Sequence, residues 1–190
     1  MTVSADTSTP RVVLVTGALG SAADAASIGR ALATGFARRG WDVALQRSHG
    51  APRAAADALV AEVAALGRRA AVLDADLALE ANAAALVAAC EHEALRACAI
   101  HVLDQALFHP APAQLSHALM QAALNRATSA LALALAPKVR VAALVRGHAP
   151  HADDIAAAAC YLASAPGVTG ATLTVDGGEH LVPPAAGPNE

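Results

Sequence analysis

A single lysine, a single tyrosine, one tryptophan and two phenylalanines occur in 190 residues, and aromatic residues make up only 2% of the chain. A core with so few large rings must rest on many small contacts rather than on aromatic anchors. Charge is also scarce: 15% of residues are charged and the net charge is −3, which provides no basic field for nucleic acid or an anionic membrane surface. No apolar run approaches the ~20 residues needed to span a bilayer. Cysteine occurs three times, at Cys90, Cys98 and Cys160, an odd count without C-x-x-C spacing. That argues against a disulfide framework and points to a reducing cytoplasm. Residues 1–10 are polar, with neither a charged n-region nor an apolar h-region, and read as a disordered leader rather than a signal peptide.

What is present is alanine, which supplies most of the 56% hydrophobic content and favours helix at little entropic cost. Residues 11–16 are a short β-branched run stopped by Gly17, the pattern of a buried strand. Residues 26–39 carry Ile28, Leu32 and Phe36 at helical spacing, and Gly40 ends that helix. The alternation continues with a strand at 41–45, a helix at 54–66 with Leu59, Val63 and Leu66 on one face, a strand at 70–76 and a helix at 80–95. It goes on with a strand at 99–103, a long helix at 113–136, a strand at 139–145, a helix at 152–164 and a last strand at 171–175. Leu124, Ala127, Leu131 and Leu135 make the apolar stripe of the long helix, and Pro137 stops it. Strands alternating with helices of this length imply parallel crossovers, hence an α/β fold with a Rossmann-like, doubly wound parallel sheet of about six strands. One domain over residues 11–182 and a flexible tail at 183–190 are expected.

The first strand, Thr16-Gly17, a loop and then Ser27-Ile28-Gly29-Arg30 entering a helix form the arrangement that seats a pyrophosphate. Glycine lets the backbone approach, and a helix N-terminus presents free N–H groups to an anion. The same pattern is also ordinary turn chemistry, and the loop is longer than a compact phosphate turn requires. His148 and His151 are separated by Ala-Pro with no third ligand in step, so a loop pair is the simpler reading and no metal site is expected.

Several stretches, taken in order, resemble the short-chain dehydrogenase/reductase family: Val15-Thr16-Gly17, Ser27 to Arg30, Ala75-Asp76-Leu77, Leu135 to Val141, Gly147, and Val168 to Gly178. Within that family, Ile100-His101-Val102-Leu103-Asp104-Gln105 and Arg47-Ser48 are most similar to the pteridine reductases of the dihydrofolate and dihydromonapterin type. The resemblance implies NADP(H) as cofactor. Gly17, Ser27, Ile28 and Gly29 would lie near the pyrophosphate, Arg47 and Ser48 at the 2′-phosphate, Asp76 and Leu77 at the adenine, and Gly147 beside the cofactor. It also implies a pterin or small carbonyl substrate, and a homo- or hetero-oligomer built on the helix at 113–136. Arg47 as a solvated cation and Asp76 as a strand-end cap remain the bland alternatives.

The family's catalytic triad falls on Asp104, His117 and Gln121, and two of those positions are substituted. Its tyrosine and lysine lie four residues apart on one helix face; here His117 and Gln121 stand there. The single tyrosine, Tyr161, and the single lysine, Lys138, sit on other elements and cannot replace them. A strand–helix unit of the family pattern is also missing, and a second alignment takes residues 104–110 as a worn form of the family's fourth-strand end. The expectation is a shortened, NADP(H)-binding relative with impaired catalysis that acts alone or as partner of an active homologue. The alternative is a working reductase with His117 as substitute acid and Asp104 either its partner or a coincidental strand-end residue.

Overall fold

A computed structural model describes residues 11–16, 19, 23–47, 52–75, 81, 97–148 and 151–182. The chain divides into two compact units, Met1–Ala94 and Leu95–Glu190. The expected leader, tail and helix at 80–95 lie outside the described residues, except for Asn82's neighbour Ala81, which is helical.

The first unit runs β1 (Val12–Val15), α1 (Ala23–Arg38), β2 (Asp42–Arg47), α2 (Arg53–Ala65) and β3 (Ala70–Asp74). Its three strands are parallel, in the order β1-β2-β3, with Val12 opposite Asp42 and Leu45 opposite Val72. Because β2 is central, both of its faces are covered and residues 42–46 are buried without alternation. Val15, Ala33, Ala37, Leu45, Leu59 and Val63 form the core. Both helices end where the chain needs a left-handed residue, at Gly40 with φ 84° and Gly67 with φ 73°. Leu66, expected on the apolar face of α2, is instead its exposed C-cap, since the helix stops one residue earlier.

The second unit runs β4 (Ala97–Leu103), a 3-10 turn (Gln105–Leu107), a second such turn (Pro112–Gln114), α3 (Leu115–Leu135), β5 (Val139–Arg146), α4 (Ala152–Ser164), β6 (Thr172–Val175) and a last 3-10 turn (Glu179–Leu181). The order is β4-β5-β6, again all parallel. Val141 to Val145 on the central strand are almost wholly buried, and Leu103, Leu144 and Ile155 are the large anchors around them. Each such side chain contributes roughly 1.5–3 kcal/mol on burial, well above what an alanine provides.

The buried side of α3 differs from the expected leucine stripe. Ala118, Gln121, Thr128 and Ala132 are buried, Leu124 packs against Leu103, Ala143 and Val145, and Leu131 and Leu135 are exposed. Small residues let this helix lie close on the strands, which pushes the bulkier leucines to its flanks. Thr128 fixes the contact: its hydroxyl donates to Leu124 O at 2.9 Å and lies 2.9 Å from His101 Nδ1 on β4. Arg140 on β5 caps the carbonyl end of α4, donating to Leu162 O, Ala163 O and Ala165 O at 2.6–2.8 Å. Among the described residues, no helix is long and apolar enough to cross a membrane.

Candidate functional site

The second unit assembles its site where β4 stops. Asp104 follows the strand in extended conformation and caps the 3-10 turn, one carboxylate oxygen accepting from Ala106 N–H at 3.0 Å. Its other oxygen lies 2.7 Å from His117 Nε2. One helical turn further along α3, Gln121 Oε1 accepts from the Asp104 N–H at 3.3 Å. Spacing of four residues puts His117 and Gln121 on one face of α3, so the structure brings all three expected triad positions together. They differ in setting: the His117 side chain is 39% exposed, whereas Gln121 is buried. Among the described residues, His117 Nδ1 has no hydrogen-bond partner. A carboxylate on one ring nitrogen with the other left open is an arrangement that can hold or pass a proton.

A cavity of about 180 Å³ opens beside this cluster, lined by Asp104, Gln105, His109, His117, Arg146 and Gly147 among others. Gln105 is only 2% exposed, yet it carries a polar amide. Its Nε2 donates to Arg146 O at 3.2 Å and to Asp176 Oδ2 at 2.9 Å, while Oε1 has no partner. Asp176 also accepts from the main-chain N–H groups of Gly178 and His180, each at 2.9 Å, and from His180 Nδ1 at 2.8 Å. Burial alone would raise the Asp176 carboxyl, but the main-chain donors of His180 and Gly178, the His180 ring and Gln105 outweigh it and bring its pKa down to about 2.

Gly147 closes β5 against the same turn. A Cβ there would stand 2.7 Å from Glu179 Oε2, 3.1 Å from Asp176 Cβ and 3.2 Å from Asp176 Cα, so only glycine fits without displacing backbone. His148 donates its N–H to Glu179 Oε2 at 2.8 Å and pairs with the same carboxylate through its ring. That ring contact is the largest reason the Glu179 carboxyl is lowered. His151 faces Asp154 instead, 3.8 Å away, and no metal-binding group of three side chains occurs among the described residues. The sequence reading missed Gln105, Asp176 and His180 as site residues. The available signal was Asp176 followed by two glycines, a turn that gathers N–H donors around a carboxylate.

The expected cofactor residues of the first unit are placed differently. Helix α1 begins at Ala23, three residues before the expected start, because Ala23 and Ala25-Ala26 flank Asp24 with no breaker. Ser27, Ile28 and Gly29 therefore sit inside the helix, where their N–H groups bond to carbonyls four residues back; the free N–H groups belong to the residues before them. Ser27 is exposed, Ile28 and Gly29 buried. Arg47 ends β2 and is held by Asp74 at the end of β3, Nε to Oδ1 at 2.7 Å and Nη2 to Oδ2 at 2.8 Å. The guanidinium lies at the carboxyl end of a parallel strand, and Asp74 takes the fork that a phosphate would use. Gly17, Ser48, Asp76 and Leu77 lie outside the described residues.

Parallel strands with helical crossovers, and polar groups collected just past the strand ends, place the chain in the Rossmann-like α/β class. A family model described as short chain dehydrogenase-like protein matches residues 73–175, more than half of the chain. This protein belongs to that short-chain dehydrogenase-like family. No curated protein matches it. Among solved structures, a short-chain dehydrogenase/reductase from Burkholderia xenovorans is similar with a TM-score of 0.78 at 21% identity, over 92% of this chain and 100% of that one. Acetoin dehydrogenase from Enterobacter cloacae gives 0.79 at 18%, over 96% and 100%. FolM alternative dihydrofolate reductase 1 from Brucella canis, solved with NADP, gives 0.75 at 21%, over 90% and 95%. At these identities the likeness is one of fold.

Proposed function

We propose that this chain binds NADP(H) and transfers hydride weakly or not at all. The observation that carries this reading is the state of Gln121. It fills the position of the family's lysine with a neutral, buried amide, and its oxygen is committed to the Asp104 N–H. Gln121 itself then brings no positive charge to tune a neighbouring acid. His117, at the tyrosine position, is held to Asp104 through Nε2. Imidazole is shorter than phenol, and a misplacement of about 1 Å lowers rate ~10²-fold. For the cofactor, the support is the Arg47 guanidinium at the end of β2 and the FolM neighbour from Brucella canis, solved with NADP. A bound nicotinamide would supply the hydride; the chain itself supplies Arg47 to hold phosphate and the Asp104–His117 pair to hold a proton.

Calorimetric titration with NADPH and NADH tests the binding half, and NADPH oxidation with dihydropterins or small carbonyl compounds tests the other. Saturable heat with NADPH, preferred over NADH, and turnover near background are expected. Restoring the family pair by H117Y with Q121K should raise turnover ~10²–10⁴-fold, the usual contribution of a general acid. Absence of NADPH binding overturns the reading.

A second reading, a working pterin or small-carbonyl reductase with His117 as acid, is favoured by one feature: His117 lies on the cavity wall with Nδ1 open. Brisk NADPH consumption that disappears in H117A would replace the first reading with this one.

A further inference from the structure

We propose that the cavity beside Asp104 is a recognition site for a small carboxylic acid of a few carbons, with Arg146 receiving its carboxylate. The inference rests on the reading above for the cavity as the substrate site, and it narrows the substrate class.

Charge is the first argument. Among the described residues, Asp104 is the one carboxylate on the wall, and both of its oxygens are engaged, by Ala106 N–H and by His117. The nearby carboxylates are engaged as well: Asp176 by Gln105, Gly178 and His180, and Glu179 by His148. Arg146 differs. Among the described residues its guanidinium forms no ion pair, and its one hydrogen bond is a long 3.4 Å contact to Gly147 O. A half-buried guanidinium without a counter-ion is a place where an anion is favoured.

Size is the second argument: about 180 Å³ falls below the ~300–1,000 Å³ of sites for drug-sized ligands, so a compound of a few carbons fits better than a fused bicyclic ring.

The full chain is titrated by calorimetry, without nucleotide, with lactate and pyruvate and with the methyl ester of each. The acids are expected to bind about tenfold or more tightly than the esters, the scale of a charge-assisted Arg–carboxylate contact. R146Q should abolish that preference and leave NADPH binding as in the parent, whereas R126Q, at an exposed site on α3 outside the cavity, should change neither. Should R146Q not fold, the acid–ester comparison on the parent protein decides alone. Equal affinity of acid and ester, or binding of neither, overturns the proposal. Acid preference in a protein that gives no heat with NADPH upholds this proposal and refutes the nucleotide reading, so the two fail separately.

Discussion

Replacing Asp176 by asparagine removes one charge from a carboxylate that four donors surround. The folded carboxyl titrates at about 2 against an ordinary value of 3.8. A lowered pKa means that ionisation stabilises the fold above the unfolded value, and that this contribution disappears as pH falls through the folded one. The difference corresponds to at most about 2.5 kcal/mol at neutral pH. The donor turn reaches solvent at Gly177, so screening reduces this to roughly 1.5 kcal/mol. Linkage leaves about half of it at pH 3 and little below pH 2. Urea unfolding of parent and D176N, followed by circular dichroism at pH 7 and pH 3, should therefore show a stability gap that about halves on acidification. A gap that is the same at both pH values, or absent at pH 7, would refute the assignment of Asp176 as the charged centre of this network.

Gly147→Ala should lower stability by about 1–3 kcal/mol, the usual range for forcing atoms into a filled site, because the new methyl meets Asp176 backbone at 3.2 Å; a melting temperature equal to the parent's would contradict the packing described. Arg47→Ala should weaken NADPH roughly tenfold and NADH hardly at all, while Asp74→Asn, which removes the competing carboxylate, should tighten NADPH. Equal effects on both nucleotides in calorimetry would show that Arg47 does not read the 2′-phosphate.

The element pattern was legible because each signal was local. The helix at 152–164 coincides with its expected bounds, and β5 extends one residue beyond them. Strand β4 begins two residues early, since Ala97 and Cys98 pair with Val139 and Arg140 although neither carries a strong strand preference. The start of α1 was misplaced for the opposite reason: alanine continues a helix wherever nothing stops it. Spacing alone indicated that His117 and Gln121 share a face. That Gln121 would turn its amide to the Asp104 main chain, and that Gln105 would be buried against Asp176 seventy-one residues away, depends on tertiary contacts no local pattern encodes. The burial of α3 through alanine and threonine instead of leucine has the same origin.

The Thr128 hydroxyl has one proton, and Leu124 O takes it. His101 must then present a proton at Nδ1, the less common tautomer of a neutral imidazole, and burial lowers its pKa so that it stays neutral. His101 should therefore take up its second proton only below the range of an ordinary imidazole, and its ring nitrogens should give a distinctive pattern in a ¹⁵N spectrum. The chain thus contains its own probe of whether the long helix is seated on the sheet, readable before any ligand is added.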